Sequence, residues 1–325
     1  MTIKIRKYKK GDEKQILNLD RLVETHPWNR RNLKNWYWKY KGNNPFGNSL
    51  VWVAMNKKKV VATFSIIPLD YIVKGKILKG SCSIAMIVHP EYQNKGLIKF
   101  VADKLFDEAK LNKIKFVYGY PNENAYQIHK VFFSYKDISK QKLYFKKINK
   151  KIKISLENKF EINEVKKFIN KDDFFLKRVS KQRKICLKRT VEFLNWRYFD
   201  RPDYKYKVFK FFKNKDLIAY VVLKVYKENK ILRGHVIDLF YDKKANIFNE
   251  IMEFSIKFFA KNNCNELTLW LQGDESAIKK LKKLGFKTLN SRPMICKFID
   301  LKRSEISELN KKDWYFTMGD TLEIY

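Results

Sequence analysis

The sequence predicts an α+β protein with mixed sheets, built from two copies of one folding unit. Runs of alternating or continuous apolar residues are separated by amphipathic helical patterns, which is typical of sheets covered by helices. The order of these patterns in the first half returns in the second half. With 325 residues, of which 45% are hydrophobic, the chain is long enough for two domains that each bury a core.

The first half alternates between strand and helix patterns. β-Branched and aromatic residues favour strands, whereas apolar residues at a spacing of three and four favour helices. Glycine, proline and asparagine mark most of the boundaries. In chain order we predict a strand at 3–8, helices at 13–24 and 33–40, strands at 50–55, 60–67 and 83–88, a helix at 99–111 and a strand at 115–120.

The second half repeats this order. The aromatic helix pattern at 33–40 (LKNWYWKY) returns at 193–198 (FLNWRY), and in both halves two apolar strands joined by a charged turn follow it. The later strand that ends at Tyr120 corresponds to the strand that ends at Leu271. We therefore expect an internal duplication, with domains at residues 1–150 and 151–325.

The chain is strongly basic. Lys and Arg total 70 against 34 Asp and Glu, which gives a formal net charge of +36. Such a charge suits anionic ligands, for example phosphorylated cofactors, nucleotide-linked sugars, nucleic acid or acidic membranes. Because the lysines are spread over the whole chain, general use of lysine explains most of the excess. Nucleic acid is therefore not the expected partner, although the charge leaves it open.

The cysteines and the N-terminus indicate a cytoplasmic protein. Cys82, Cys186, Cys264 and Cys296 form no CxxC pair and lie at no metal-ligand spacing from a histidine, so we expect reduced, mostly buried thiols and no metal. No apolar run approaches about 20 residues, and the first residues form no apolar signal region, so we expect no transmembrane segment. A homo-oligomer is left open.

The stretch VHPEYQNKGL (88–97) joins a strand to a helix. Pro90 ends strand pairing, and the amides from Gln93 onward lead into a helix N-terminus with unpaired N–H donors and a partial positive charge. Gly96 lets a ligand approach the backbone closely, and Lys95 adds a full charge. This combination is suited to a pyrophosphate.

This loop resembles the acyl-CoA signature of the GNAT family of N-acetyltransferases, in which Gln/Arg-x-x-Gly-x-Gly/Ala follows the fourth strand. Gln93 and Gly96 match, while Ile98 stands where many members have Gly or Ala. The chain is similar to tandem members such as the mycobacterial enhanced-intracellular-survival acetyltransferases. The resemblance implies a GNAT fold for two tandem units, with acetyl-CoA as the acyl donor.

The resemblance also implies which residues hold the donor. In GNAT enzymes the fourth and fifth strands splay apart, and the pantetheine arm lies between them. The implied cofactor-binding residues are Met86, Ile87 and Val88 through their backbone, the loop residues Gln93, Asn94, Lys95, Gly96, Leu97 and Ile98, and Asn122.

The segment PNENAYQIH (121–129) is similar to the block that follows the fifth GNAT strand, where a tyrosine serves as general acid. His129 stands at the usual tyrosine position, and Tyr126 lies one turn earlier, so both are candidate acids. No general base is singled out. Glu24 and His26 are candidates that we interpret as capping residues. Four aromatic residues either line an acceptor cleft or pack in the core, and for at least two of them we expect core packing: Trp28, Trp36, Tyr37 and Trp38.

The corresponding loop of the second half, FYDKKAN (240–246), has no glycine and carries Asp242 where an anion would dock. We therefore expect a second unit that is degenerate for cofactor binding and acts as a scaffold or shapes the acceptor site. The C-terminal segment at 313–320 is expected to complete the second sheet.

Three functions fit the sequence. The first is acetyl-CoA-dependent N-acetylation of a small primary amine, such as an amino sugar or a nucleotide-linked amino sugar, whose negative charge would suit the basic protein. The second is aminoacyl or lysine acyl transfer by a tandem GNAT protein. The third is a non-catalytic basic protein that binds nucleic acid or membranes.

Overall fold

The computed structural model describes residues 3–23, 32–149, 160–228, 230–289, 292–301, 306, 309 and 311–322. The elements of the first half are β1 (Ile3–Lys7), α1 (Asp12–Val23), α2 (Leu33–Lys41), β2 (Leu50–Asn56), β3 (Lys59–Val73), β4 (Lys76–Val88), α3 (Leu97–Leu111), β5 (Phe116–Gly119), α4 (Glu123–Phe133), β6 (Lys136–Lys140) and β7 (Leu143–Lys147).

The second half has the same order, with two short strands added, one between its first two helices and one at its C-terminal end. Its elements are β8 (Glu161–Val165), α5 (Asp172–Ser180), the added β9 (Ile185–Leu187), α6 (Val191–Tyr198), β10 (Lys207–Lys213), β11 (Asp216–Glu228), β12 (Ile231–Tyr241), α7 (Phe248–Lys261), β13 (Glu266–Gln272), α8 (Glu275–Lys283), β14 (Lys287–Leu289), β15 (Pro293–Phe298) and β16 (Trp314–Thr317). The predicted duplication is confirmed, since the same order of elements occurs twice along the chain.

The equivalent helices α2 and α6 of the two halves each begin at a polar capping residue. Asn32 accepts a hydrogen bond from the amide of Asn35 at the start of α2, and Thr190 accepts one from the amide of Phe193 at the start of α6. Such caps satisfy amides that have no partner inside the helix. The two helices then face each other, since Trp38 stacks on Trp196 with ring centroids 4.9 Å apart.

The two sheets exchange a strand. The first sheet has the order β1-β2-β3-β4-β5-β15-β6, and the second has the order β8-β10-β11-β12-β13-β7-β14. The first unit therefore places β7 in the sheet of the second, and the second unit places β15 in the sheet of the first. The domain boundary near residue 150 remains a prediction. β7 precedes this boundary but pairs with β13 and β14 of the second half, and β15 follows it but pairs with β5 and β6 of the first half.

The C-terminal segment connects the two sheets. β16 pairs in parallel with β9, and β9 pairs antiparallel with the end of β3. On its other side β16 pairs antiparallel with the end of β13. Residues 314–322 are all buried. The segment was expected to complete the second sheet. It pairs there with β13, and it is also linked to the first sheet, because its other partner, β9, pairs with β3.

A buried ionic cluster anchors this segment. Arg189 donates to both oxygens of Asp238, at 2.9 and 3.2 Å, and to Asp320 at 3.1 Å. Tyr220 and Thr317 also donate to Asp238. Burial raises the pKa of Asp320 to about 6. Burial acts in the same direction on Asp238, but the charge of Arg189 and the hydrogen bonds from Arg189, Tyr220 and Thr317 together outweigh it and lower the pKa of Asp238.

We expect Asp320 to make the protein more stable at pH 5 than at pH 7.5. Its folded pKa of about 6 lies above the ordinary value of 3.8, so the folded state binds the proton more tightly. This stabilisation is complete below pH 4 and is lost as the pH rises through 6. The change from pH 5 to 7.5 should be about 1 kcal/mol in the free energy of unfolding. Asp320→Asn should remove that change in urea titrations; equal pH dependence in both proteins would contradict it.

Candidate functional site

A cleft opens in the middle of the first sheet. β4 and β5 pair in parallel only from Gly80–Phe116 to Cys82–Tyr118, and β4 then continues to Val88 paired with β3 but not with β5. Residues 83–86 are half-buried, although they belong to a central strand. The strands therefore diverge from the last pair onward and leave one edge of β4 free, as the resemblance implied.

The register of β3 and β4 decides which backbone groups face the cleft. The amide of His89 donates to the carbonyl of Val61 at 2.9 Å, and hydrogen-bonded pairs alternate along an antiparallel ladder. The polar groups of Ile87 therefore point to β3, whereas those of Met86 and Val88 point into the cleft. Of the three residues predicted to bind the donor through their backbone, only Met86 and Val88 are so oriented.

The loop after β4 presents free helix amides to solvent. A short 3-10 helix (Pro90–Tyr92) leads to Gly96, which has a φ of +70° and precedes the first residue of α3. The amide of Lys99 already bonds to the carbonyl of Gly96, so those of Leu97 and Ile98 precede the helical ladder and point forward. Nothing lies within 4 Å of the position where a Cβ of Gly96 would be. This geometry fits a pyrophosphate.

Side chains hold the loop in this shape. The Gln93 amide donates to the carbonyl of Val88 at 3.0 Å, and the Lys95 ammonium donates to that of Glu91 at 2.7 Å. The Tyr92 hydroxyl accepts a 2.6 Å hydrogen bond from Asn56, which ties the loop to β2. Residues 93–96 are nevertheless exposed. The cradle is therefore preformed and accessible.

The helix α4 begins at the far side of the cleft. The Asn122 carbonyl oxygen accepts from the amide of Ala125 at 2.9 Å, which leaves its NH₂ group to face outward. Tyr126 donates its hydroxyl proton to Asp137 at 2.8 Å, and this hydrogen bond raises the pKa of Tyr126. The tyrosine proton is thus directed at β6 rather than at the cleft.

His129 is buried under the sheet. Its Nδ1 lies 2.6 Å from the carbonyl of Ala125, so Nδ1 carries a proton and, in the neutral ring, Nε2 is an acceptor. Burial lowers the pKa of His129, which favours this neutral form. Its ring packs edge-on against Phe133 and Tyr135. In this structure the protons of both predicted acids are held by other groups, that of Tyr126 by Asp137 and that of His129 Nδ1 by the carbonyl of Ala125.

Side chains occupy two amides in the matching loop of the second unit. Asp242 accepts from the amide of Lys244, and Gln182, from outside the loop, accepts from the amide of Lys243, so neither amide is available to an anion. The splay between β12 and β13 is also filled. Tyr315 bonds to the carbonyl of Leu239 on β12, and β16 pairs with the end of β13.

The candidates for a general base and for an acceptor cleft fall partly outside the described residues and partly in the core. Glu24, His26 and Trp28 lie outside the described residues. Trp36 and Trp38 are buried in the core, as expected for two of the aromatic residues, whereas Tyr37 is 39% exposed and donates to Glu13. In the described part of the chain, no cluster of three or more His, Cys, Asp or Glu side chains could hold a metal.

No described helix combines the length and apolarity needed to cross a bilayer.

Sequence reasoning missed two residues beside the cleft. Ser65 on β3 and Tyr40 on α2 meet behind a bulge in β4. A serine in an apolar strand was a local signal for Ser65, but the pairing with Tyr40 depends on the packing of α2 on the sheet.

Comparison with known proteins agrees with this geometry. Residues 4–130 match the model of the acetyltransferase (GNAT) domain. Comparison with curated protein sequences gives no match.

Solved structures extend the likeness to the whole chain. A probable N-acyltransferase from Enterococcus faecalis V583 has a TM-score of 0.68 and 12% identity over 93% of this chain and 74% of its own. A tandem GNAT protein from the clavulanic acid biosynthesis pathway has a TM-score of 0.64 and 9% identity over 93% of this chain and 100% of its own. The N-myristoyltransferase of Saccharomyces cerevisiae with bound myristoyl-CoA has a TM-score of 0.58 and 12% identity over 90% of this chain and 82% of its own.

At these identities the solved structures establish the fold, while the family model identifies residues 4–130 as an acetyltransferase (GNAT) domain. The protein thus carries a GNAT acetyltransferase domain in residues 4–130, has the GNAT fold in two tandem units, and is an acyltransferase.

Proposed function

We propose that this protein transfers an acetyl group from acetyl-CoA to a primary amine of a small acceptor, an amino sugar or a nucleotide-linked amino sugar. The observation that carries the proposal is the preformed loop 93–98 at the wide end of the open β4–β5 cleft. The net charge of +36 would attract an anionic acceptor.

In this proposal the first unit binds the donor along β4. The loop residues Gln93 to Ile98 hold the pyrophosphate, and the backbone groups of Met86 and Val88 bind the pantetheine amides. Asn122 contacts the arm from the start of α4. The second unit serves as a scaffold, since its own cleft is filled by the C-terminal segment.

The narrow end of the cleft supports a short acyl group. Three buried aromatic residues pack next to the last β4–β5 pair. The ring centroid of Tyr71 lies 5.1 Å from that of Phe116 and 5.7 Å from that of Tyr118. A long chain bound in the cleft would have to displace them. We therefore favour acetyl over a fatty acyl group.

The experiment is a binding titration with CoA, acetyl-CoA and myristoyl-CoA, followed by turnover with amine acceptors. The amines are glucosamine, a UDP-linked amino sugar and a lysine peptide, and thiol release reports transfer. Acetyl transfer to an amino sugar supports the proposal, and preference for the lysine peptide favours the alternative acyltransferase. If no CoA species binds, the proposed function is wrong.

We expect Tyr126→Phe to lower turnover by less than about tenfold. A general acid contributes about 100-fold or more, but the Tyr126 proton is held by Asp137. The measurement is kcat with acetyl-CoA and the best amine, with Tyr144→Phe, a change far from α4, as the control. A drop of about 100-fold in Tyr126→Phe alone would instead establish Tyr126 as the acid.

A further inference from the structure

The strand β4 carries a bulge at the narrow end of the cleft. Phe64 pairs with Met86 and Ile66 pairs with Ser83, so two residues of β4, Ile84 and Ala85, lie opposite the single residue Ser65. A bulge of this kind interrupts the ladder and turns backbone groups to new directions. The polar groups of Ala85 must therefore find partners outside the regular pairing.

Ser65 supplies those partners. Its hydroxyl oxygen lies 3.4 Å from the amide nitrogen of Ala85, which donates to it, and 3.5 Å from the carbonyl oxygen of the same residue. The single hydroxyl proton is shared between two acceptors, the carbonyl of Ala85 and the hydroxyl oxygen of Tyr40, which lies 3.1 Å away. Ser65 is 1% exposed, and Tyr40 is held in the core by Trp36, whose ring centroid is 5.0 Å away. This pair of hydroxyls is therefore a rigid support for the bulge.

The bulge lies where the acyl end of the donor has to be. If the pyrophosphate binds at the loop 93–98, an extended arm that follows β4 from Val88 toward the last pair with β5 ends beside residues 83–85. The half-buried state of Ile84 and Ala85 shows that the cleft reaches them. Small shifts of this backbone would change the contacts of the thioester but leave those of the pyrophosphate intact.

We propose that Ser65, supported by Tyr40, is a positioning residue that sets the β4 bulge against the acyl group of the donor. This inference rests on the proposed function. It also connects α2, which carries Tyr40, to the donor site on the other side of β3. The role is distinct from that of the loop, since Ser65 bonds to the backbone of Ala85, whereas the loop binds through residues 93–98.

The test compares CoA with acetyl-CoA, because their difference reports only the acyl contacts and needs no acceptor. The quantity is the ratio of the two Kd values from calorimetry, together with the chemical shift of the carbonyl of [1-¹³C]acetyl-CoA when bound. In Ser65→Ala the preference for acetyl-CoA should fall by about threefold to tenfold, as expected for one or two lost hydrogen bonds, with CoA affinity unchanged. The bound carbonyl shift should move toward its value in water.

The chain offers a matched control. Thr63 lies on the same strand, is equally buried, and donates its hydroxyl to the carbonyl of Trp52 on β2, away from the bulge. Thr63→Val should leave the preference and the carbonyl shift unchanged even if it lowers stability. Tyr40→Phe should lower the preference for acetyl-CoA by part of the amount seen in Ser65→Ala. Ser65→Thr, which keeps a hydroxyl, should have the wild-type preference.

An unchanged ratio in both Ser65→Ala and Tyr40→Phe, or an equal loss in Thr63→Val, would overturn the inference. If Ser65→Ala does not fold, the carbonyl shift in Tyr40→Phe decides it. Wild-type protein that binds neither CoA nor acetyl-CoA would instead show that the proposed function is wrong, and the inference would fall with it.

Discussion

Replacing Gly96 by valine should weaken binding of acetyl-CoA by about tenfold or more, and the double variant Lys95→Glu, Gly96→Val by about 100-fold. A β-branched residue resists the φ of +70° that starts α3, and its side chain would occupy the open space above the helix amides. The reversed charge at residue 95 would add repulsion against the phosphates. Calorimetry with CoA and acetyl-CoA measures the effect.

Gly75 provides a control with the same local strain. It lies in the turn between β3 and β4, has a φ of +83°, and also has nothing within 4 Å of an added Cβ. Gly75→Val should therefore cost similar stability, while donor affinity stays unchanged. If Gly96→Val binds acetyl-CoA as tightly as Gly75→Val does, the loop is not the pyrophosphate cradle.

Replacing Arg189 by methionine should lower the free energy of unfolding by about 3–5 kcal/mol. The change leaves Asp238 and Asp320 buried without the cation that they share. Because protonation relieves buried carboxylates, the loss should be smaller at pH 5 than at pH 7.5. Urea denaturation at the two pH values measures both effects.

The matched control is a lysine in a surface ion pair. Lys207 and Glu164 lie 2.6 Å apart, and about half of each side chain is exposed. Lys207→Met should cost about 0–1 kcal/mol, because water screens this pair. A cost of less than about 1 kcal/mol for Arg189→Met as well would show that the buried cluster does not stabilise the C-terminal segment.

The shape of the loop in the proposed donor site could be predicted from the sequence, because its signals are local. A strand, a proline, a glycine and a helix start follow one another within residues 88–98, and their geometry depends on adjacent residues. The absence of glycine from residues 240–246 predicted the difference between the two loops for the same reason. The structure adds that the side chains of Gln182 and Asp242 use the amides of that second loop.

The candidate acids could not be judged in this way. Tyr126 and His129 were chosen from their positions in the motif, and their partners decide what they can do. Asp137, the partner of Tyr126, lies on the next strand. The imidazole of His129 turns toward its own helix and meets the carbonyl of Ala125. Both remain predictions, and the expected result for Tyr126→Phe follows from the partner rather than from the motif.

The sequence by itself determined the order of the elements, the duplication and the loop that distinguishes the two units, since these depend on patterns a few residues long. Only the tertiary structure decided that β7 and β15 are exchanged, that the C-terminal segment fills the second cleft, and that Ser65 and Tyr40 meet behind the bulge. These features join residues far apart in the chain, such as Thr317 and Asp238. Their energy comes from burying groups together, which no local pattern records.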